Sequence, residues 1–313
     1  MRQKRGNVDK VCRLFGKSRQ AYYRMEKRRT RQDIGEEMVL MYVRGIRSRQ
    51  PRMGTRKLYW LLKAVMKDNG IKMGRDKFFE VLRTHGLLVK PRRRRVRTTD
   101  SNHAYRKYPN LIKGYEAWRP EQIWSSDITY VATGKGFAFV SLVTDQYSKK
   151  IMGYHVHETL ETAGPLKALR MALKNRRHPE TLLIHHSDRG VQYCCREYTG
   201  LLERHGIQIS MAAPGNPYEN PVAERVNGIL KTEYYLEGYF ETIDQVRKAV
   251  REAIYLYNTH RPHASCDYLT PEQAHQRQGS LGKRWRKYPA KMQQHTLPEE
   301  TRKALEQLVI KVA

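Results

Sequence analysis

Three carboxylates stand out in the middle of a strongly basic chain: Asp127 in "WSSDITYV", Asp188 in "LLIHHSDRGVQY" and Glu224 in "NPYENPVAERVNG". Carboxylate oxygens are the hard ligands that magnesium and manganese prefer. A small cluster of them can hold two such ions about 3.5–4 Å apart, an arrangement that activates an attacking oxygen and stabilises the leaving oxygen of an in-line displacement. Each residue alone also has an ordinary structural reading. Asp188 could cap the turn at Arg189-Gly190, Asp127 could pair with an arginine, and Glu224 could be helix surface. Asp145 in "LVTDQYS" is a fourth strand carboxylate and is read as structural or supporting.

The elements around them decide whether they can meet. From Gln122 the pattern is strand-like: "QIWSSDITYVAT", a turn at Gly134-Lys135-Gly136, "FAFVSLVTDQYS" and "KIMGYHVHET" predict an antiparallel meander. A helix follows in "LETAGPLKALRMALKNRR", with Gly164-Pro165 marking its start. "TLLIHHSD" predicts a fourth strand, "REYTGLLERHG" a helix and "IQISMA" a fifth strand. Two helices close the region, "NPVAERVNGILKTEYYLEG" and "TIDQVRKAVREAIYLYNTH". The expected class is α/β, a mixed five-stranded sheet with flanking helices. In that order the first and fourth strands are neighbours, so Asp127 and Asp188 would meet at one edge of the core. Asn220 as N-cap and Pro221 as first residue would open the helix that brings in Glu224. Glu224, Asn227 and Lys231 share one face of it.

Charge is unevenly spread around this core. Residues 1–120 carry 34 Lys+Arg against 10 Asp+Glu, residues 121–278 carry 18 against 18, and residues 279–313 carry 8 against 3. A neutral centre between basic flanks points to a polyanion, and phosphate backbones are the natural partner through counterion release. The first segment is helical throughout. A short helix, a turn at Gly16-Lys17-Ser18 and a helix capped by Ser18 form a helix-turn-helix pattern. A second unit follows in "IGEEMVLMYVRGI", "GTRKLYWLLKAVMKDNG" and "GRDKFFEVLRTHGLL", with Gly70 and Gly86 at helix ends. "VKPRRRRVRTTDSNHAYRKYPN" reads as an extended linker whose Arg92, Arg93, Arg94 and Arg95 track phosphates. The expected organisation is an all-α DNA-binding region over 1–90, a basic linker over 91–114, a catalytic core over 115–278 and a basic tail over 279–313.

Composition removes other classes. Hydrophobic residues make up 39% of the chain, enough for a real core. No run approaches the roughly 20 apolar residues of a membrane helix, and "MRQKRGNVDKVCRLFG" lacks the apolar stretch of a secretory signal. Cys12, Cys194, Cys195 and Cys266 form no C-x-x-C pair, which suits a reducing cytoplasm. The 20 tyrosines suggest a nucleophilic tyrosine, yet no Arg/His constellation surrounds one. His260, His263 and Cys266 in "HRPHASC" are an incomplete zinc set. His185 and His186, at the strand end, are candidates to support the carboxylates.

The 35 residues between Asp188 and Glu224 resemble the D…D-35-E spacing of retroviral integrases and related bacterial transposases. "WSSDIT", "HHSDRGVQY", "GNPYENPVAERVNGILKTE" and "YNTHRPHASCDYLTP", in that order, resemble the second reading frame of insertion-sequence family three transposases over roughly residues 8–276. That resemblance implies a ribonuclease-H-like core and DDE chemistry: metal-dependent 3′-end cleavage and strand transfer, with no covalent protein–DNA intermediate. It implies Asp127, Asp188 and Glu224 as ligands of two magnesium ions, with manganese as substitute. Lys231, with Asn227 on the same helix face, would contact DNA near the reacting strand end, and "YNTHRPH" would be a structural motif after the core. The resemblance further implies a homo-oligomer on DNA, a possible fusion or partner from an upstream frame, and a bacterial cytoplasmic, nucleoid-associated setting. Pro221 and Arg225 depart from the small and polar residues usual in relatives. The rival readings are a ribonuclease-H-like nuclease without strand transfer and a non-catalytic DNA-binding repressor.

Overall fold

The computed structural model describes residues 8–89, 104–213 and 220–284. The chain divides between Arg92 and Arg93 into two compact units. The expectations for Arg92, Arg93, Arg94 and Arg95 and for most of the C-terminal tail fall outside the described residues.

In the N-terminal unit, α1 (Val8–Leu14) runs into a turn where Gly16 takes φ +60°. Ser18 then caps α2 (Arg19–Arg49), accepting from Ala21 N at 3.1 Å. This helix is longer than the sequence pattern suggested, because it absorbs the first expected helix of the second unit. Gly35 does not break it: the residue is buried, and a Cβ there would already touch Ile71 Cγ2 at 3.4 Å. Its missing side chain is a seat for a neighbour. The helices α3 (Thr55–Asp68) and α4 (Arg75–Thr84) end where expected, at Gly70 and Gly86. Both glycines have positive φ, and the bonds Ile71 N to Met66 O (2.8 Å) and Leu87 N to Leu82 O (2.7 Å) close the helix ends. Val39 and Val43 of α2, Leu58 of α3 and Phe78 and Leu82 of α4 form a core of this unit's own.

In the second unit, β1 (Ile123–Thr133), β2 (Gly136–Asp145) and β3 (Ile151–His157) are the antiparallel meander, with Gly134-Lys135 as its two-residue hairpin turn. Next come α5 (Ala163–Lys174), β4 (Ile184–Ser187), α6 (Val191–Cys194), α7 (Arg196–Arg204) and β5 (Gln208–Met211). The chain continues with α8 (Pro221–Glu233), β6 (Tyr239–Phe240), α9 (Ile243–Thr259) and α10 (Pro271–Ala274). The strand order is β3-β2-β1-β4-β5, and β6 pairs with the far end of β1. The sheet therefore has six strands where the sequence suggested five. A two-residue strand carries no alternation to read. One core gathers Trp124, Leu169, Tyr198 and Leu202, and a second gathers Val131, Leu142, Val226, Leu230 and Tyr257. They cover opposite faces of the sheet.

Helix α5 rests on β3 at Gly153, where an added Cβ would collide with the Ala168 carbonyl and come within 2.6 Å of Ala172 N. Both obstacles are backbone, so nothing flexible can yield. Gly153→Ala is expected to lower stability by about 1–3 kcal/mol, the usual range for overpacking. Urea unfolding measures this, and an unchanged midpoint would mean that α5 is free to lift away.

A buried polar knot holds α10 to the start of β1. Asp145 accepts from Glu121 N, Ser148 N and Ser148 Oγ, each at 2.7 Å, which makes it structural as expected. His275 sits between the two acids, with Nε2 3.4 Å from Glu121 and Nδ1 3.8 Å from Asp145. Burial pushes the Glu121 carboxyl up, but His275 and the backbone N–H groups of Arg177 and His178 outweigh it and hold its pKa near about 2. Burial pushes His275 down, and its bonds to Asp145 and Glu121 more than reverse this. A lowered carboxyl gives stability that is lost as pH falls from the ordinary 4.5 toward about 2. A raised histidine gives stability that is present below the ordinary 6.5 and lost as pH rises through the folded value. His275→Gln is therefore expected to flatten the fall of Tm above pH 6.5, read from melting curves of both proteins. Parallel curves would refute the knot's charge.

Candidate active site

β1 and β4 run parallel, with Ile123 beside Ile184, Trp124 beside His185 and Ser125 beside His186. Carrying this register on by two residues sets Asp127 level with Asp188, the residue just after β4. Alternation puts both on the sheet face that Ile123 and Ile184 share, on strands about 4.8 Å apart. The two aspartates thus leave the sheet as neighbours.

Beyond Ser126 the strand β1 outruns β4, and α8 takes over its edge. Asn220 Nδ2 donates to the Ser126 carbonyl at 3.0 Å. Asn220 occupies the N-cap position as expected, but its side chain makes no capping bond and is used across this seam instead. Asn227 Nδ2 donates to Asp127 Oδ2 at 2.8 Å. The sequence placed Asn227 toward DNA, whereas the structure buries it against Asp127 with 6% of its surface exposed. Glu224 lies one turn back on the same helix face, a rise of about 4.5 Å. Lys231 lies one turn onward, with its ammonium 4.1 Å from the centroid of the Tyr130 ring.

The two aspartates are held by N–H donors. Asp127 Oδ1 accepts from Ile128 N at 2.9 Å, and Asp188 Oδ1 accepts from Gly190 N at 3.1 Å, the turn-capping bond anticipated for it. Among the described residues no three of His, Cys, Asp and Glu converge tightly enough to hold an ion, and this applies to the three carboxylates as to His260, His263 and Cys266. The donor chemistry nonetheless fits a hard divalent cation: two aspartates at one level, and a glutamate on the helix tied to the first of them.

Both strand histidines are staples. His185 Nε2 lies 2.7 Å from Ser126 Oγ and 3.0 Å from the Tyr198 hydroxyl, tying β4 to β1 and α7. Burial, with His186 beside it, holds its pKa down to about 3, so the ring is neutral. His186 Nδ1 lies 2.8 Å from Ser210 Oγ and ties β4 to β5. Sequence reasoning missed Tyr193, which is 3% exposed with no hydrogen-bond partner for its hydroxyl. Burial, then Tyr198, Asp127 and Asp188, push its pKa well up, so both aspartates act on one hydroxyl. Cys194 and Cys195 are free and buried, as expected of packing residues.

This part of the chain matches known catalytic cores. The integrase core domain family matches residues 117–217, and a second integrase core domain family matches residues 205–271. The second unit is thus an integrase core built on a mixed sheet with flanking helices, of a family of metal-dependent DDE polynucleotidyl transferases. A 31 kDa protein of insertion element IS600 from Shigella sonnei is 35% identical over 83% of this chain and 96% of its own length. The IS629 transposase of the same organism is 32% identical over 66% of this chain and 69% of its own length. Transposase InsF of insertion sequence IS3A from Escherichia coli K12 is 29% identical over 85% of this chain and 93% of its own. The chain belongs to the insertion-sequence family three transposases and is a DNA transposase. Among solved structures, the HTLV-2 integrase catalytic core in complex with magnesium has 19% identity and a TM-score of 0.41, covering 51% of this chain and 99% of that one. A chain of the simian T-cell lymphotropic virus intasome in complex with PP2A regulatory subunit B56 gamma has 18% identity and a TM-score of 0.45, covering 77% of this chain and 81% of that one. No helix among the described residues is long and apolar enough to cross a membrane.

Proposed function

We propose that Asp127, Asp188 and Glu224 hold two magnesium ions, replaceable by manganese, at which this transposase cleaves an element end and joins the freed 3′-hydroxyl to a second DNA. The observation that carries the reading is the parallel register of β1 and β4, which continued by two residues sets Asp127 level with Asp188, with α8 fastened to Asp127 through Asn227. Bound there, the ions would supply Lewis-acid activation of the attacking oxygen and charge stabilisation for the leaving one.

The chain's own residues do the positioning. Asn227 and Ile128 N fix the Asp127 carboxylate, and Gly190 N fixes Asp188. Lys231 meets a phosphate of the reacting strand. The N-terminal helices and Arg92, Arg93, Arg94 and Arg95 bind element DNA, their charge giving affinity and the helices giving sequence selection in a groove. A homo-oligomer that pairs two ends, in the bacterial cytoplasm and on its nucleoid, completes the reading. A fused or partner upstream frame belongs to it as well.

Labelled duplexes carrying the element's own ends, incubated with magnesium, test this. Joined products are the expected result. Hydrolysis without joining would favour a ribonuclease-H-like nuclease, and binding without chemistry, even with the upstream frame fused, would favour a repressor.

A further inference from the structure

The hairpin end of the sheet carries exposed rings. Tyr130 and Phe137 are each 54% exposed and Tyr239 is 70% exposed. Ala132 of β1 lies opposite Phe137 of β2 on one side and Tyr239 of β6 on the other. Residues directly opposite share a face, and so does Tyr130, two residues from Ala132. All three rings therefore lie on one sheet face. Tyr130 and Phe137 meet edge to face with centroids 5.3 Å apart.

Two neighbours give this face a direction. Tyr130 is three residues from Asp127, so it leaves β1 on the opposite face, and the link to the carboxylates runs through α8, where Asn227 bonds Asp127 and Lys231, one turn on, reaches Tyr130. The Lys231 ammonium stands 4.1 Å from the Tyr130 ring centroid, so a cation sits within the aromatic surface. A protein partner closing over the rings would have to desolvate that charge. A nucleotide suits both features, since every base has a π-face to stack and a phosphate to meet the lysine. Bases inside a duplex have no free face, so the fitting occupant is an unpaired one.

Resting on the transposase reading of the carboxylates, we infer that Tyr130, Phe137 and Tyr239 form a stacking platform for a base unpaired at the DNA end being processed, with Lys231 holding its phosphate. Stacking on an aromatic side chain changes affinity by roughly 5–100-fold per base.

The test uses the full chain and duplex ends made abasic, one position at a time, over the last three nucleotides of each strand. Metal-free equilibrium binding reads the platform without requiring chemistry, so its failure is separable from failure of the catalytic reading. Wild type should lose roughly 5–100-fold in affinity at one abasic position. Tyr130→Ala with Phe137→Ala should lose that discrimination, and Tyr130→Phe should keep it. Where wild type is active, the double variant should be slow on paired ends and recover on ends with a mismatched terminal pair. Equal binding of natural and abasic ends by wild type overturns the inference. Equal slowing of the double variant on paired and mismatched ends does so too.

Discussion

Asp127→Asn, Asp188→Asn and Glu224→Gln should each leave DNA binding within a few-fold of wild type while lowering joined product by about 1,000-fold, equivalent to about 4 kcal/mol of transition-state stabilisation. Each change keeps the side chain's shape and removes the charge that a divalent ion needs. Asp127 is 7% exposed and receives Asn227 Nδ2, so the amide variant has little room to find another role. Asn227→Ala separates holding from positioning. It removes the donor 2.8 Å from Asp127 while leaving all three carboxylates in place. The expected loss is about 10–100-fold, the range for residues that orient metal ligands. Magnesium titration then discriminates: higher metal should restore Asn227→Ala and leave Asp188→Asn inactive. A fully active Asp188→Asn would remove that residue from the mechanism.

Arg261→Leu should be the most damaging change to stability. Its guanidinium, with a side chain 2% exposed, donates to both oxygens of Glu233, each at 2.8 Å. Burial disfavours the charge, but the bonds to Glu233 more than compensate, so Arg261 stays ionised inside the protein. Removing one partner strands the other charge, at a cost of about 3–5 kcal/mol. For a unit of this size that is on the order of 10 °C in Tm. Replacing both Arg261 and Glu233 by leucine should recover most of the loss, because buried pairs exchange for apolar ones at little net cost. Thermal melts of the single and double variants decide this. Glu233 is the last residue of α8, so the single variant should also loosen the helix that carries Glu224.

Much of the site was legible before the fold was seen. Asp127, Asp188 and Glu224 stand in recognisable local patterns, and the order of strands and helices already made β1 and β4 neighbours. What sequence could not supply was register: a one-residue slip would have turned Asp188 to the opposite face from Asp127. Asn227 was legible as a member of the helix face, but not as a buried donor, because only packing of α8 along β1 decides what that face meets. Glu121 and His275 were invisible for the same reason, lying more than 150 residues apart. That the segment opening at Ile34 continues the preceding helix was not legible either, because Gly35 inside α2 is a contact with Ile71 that only packing reveals.

The seam between α8 and β1 also sets a timetable for synthesis. Its two bonds join residues 94 and 100 positions apart in the chain. Closing a loop of that length costs about 4 kcal/mol of chain entropy, so the seam forms late and only with the surrounding core in place. A ribosome that has released Gly190 has made both aspartates and the strands before them but none of α8. The proposed third ligand arrives last, together with the amides that hold its helix. On the proposed reading, a nascent or prematurely ended chain would carry its DNA-binding basic beginning before it has any means of cutting DNA.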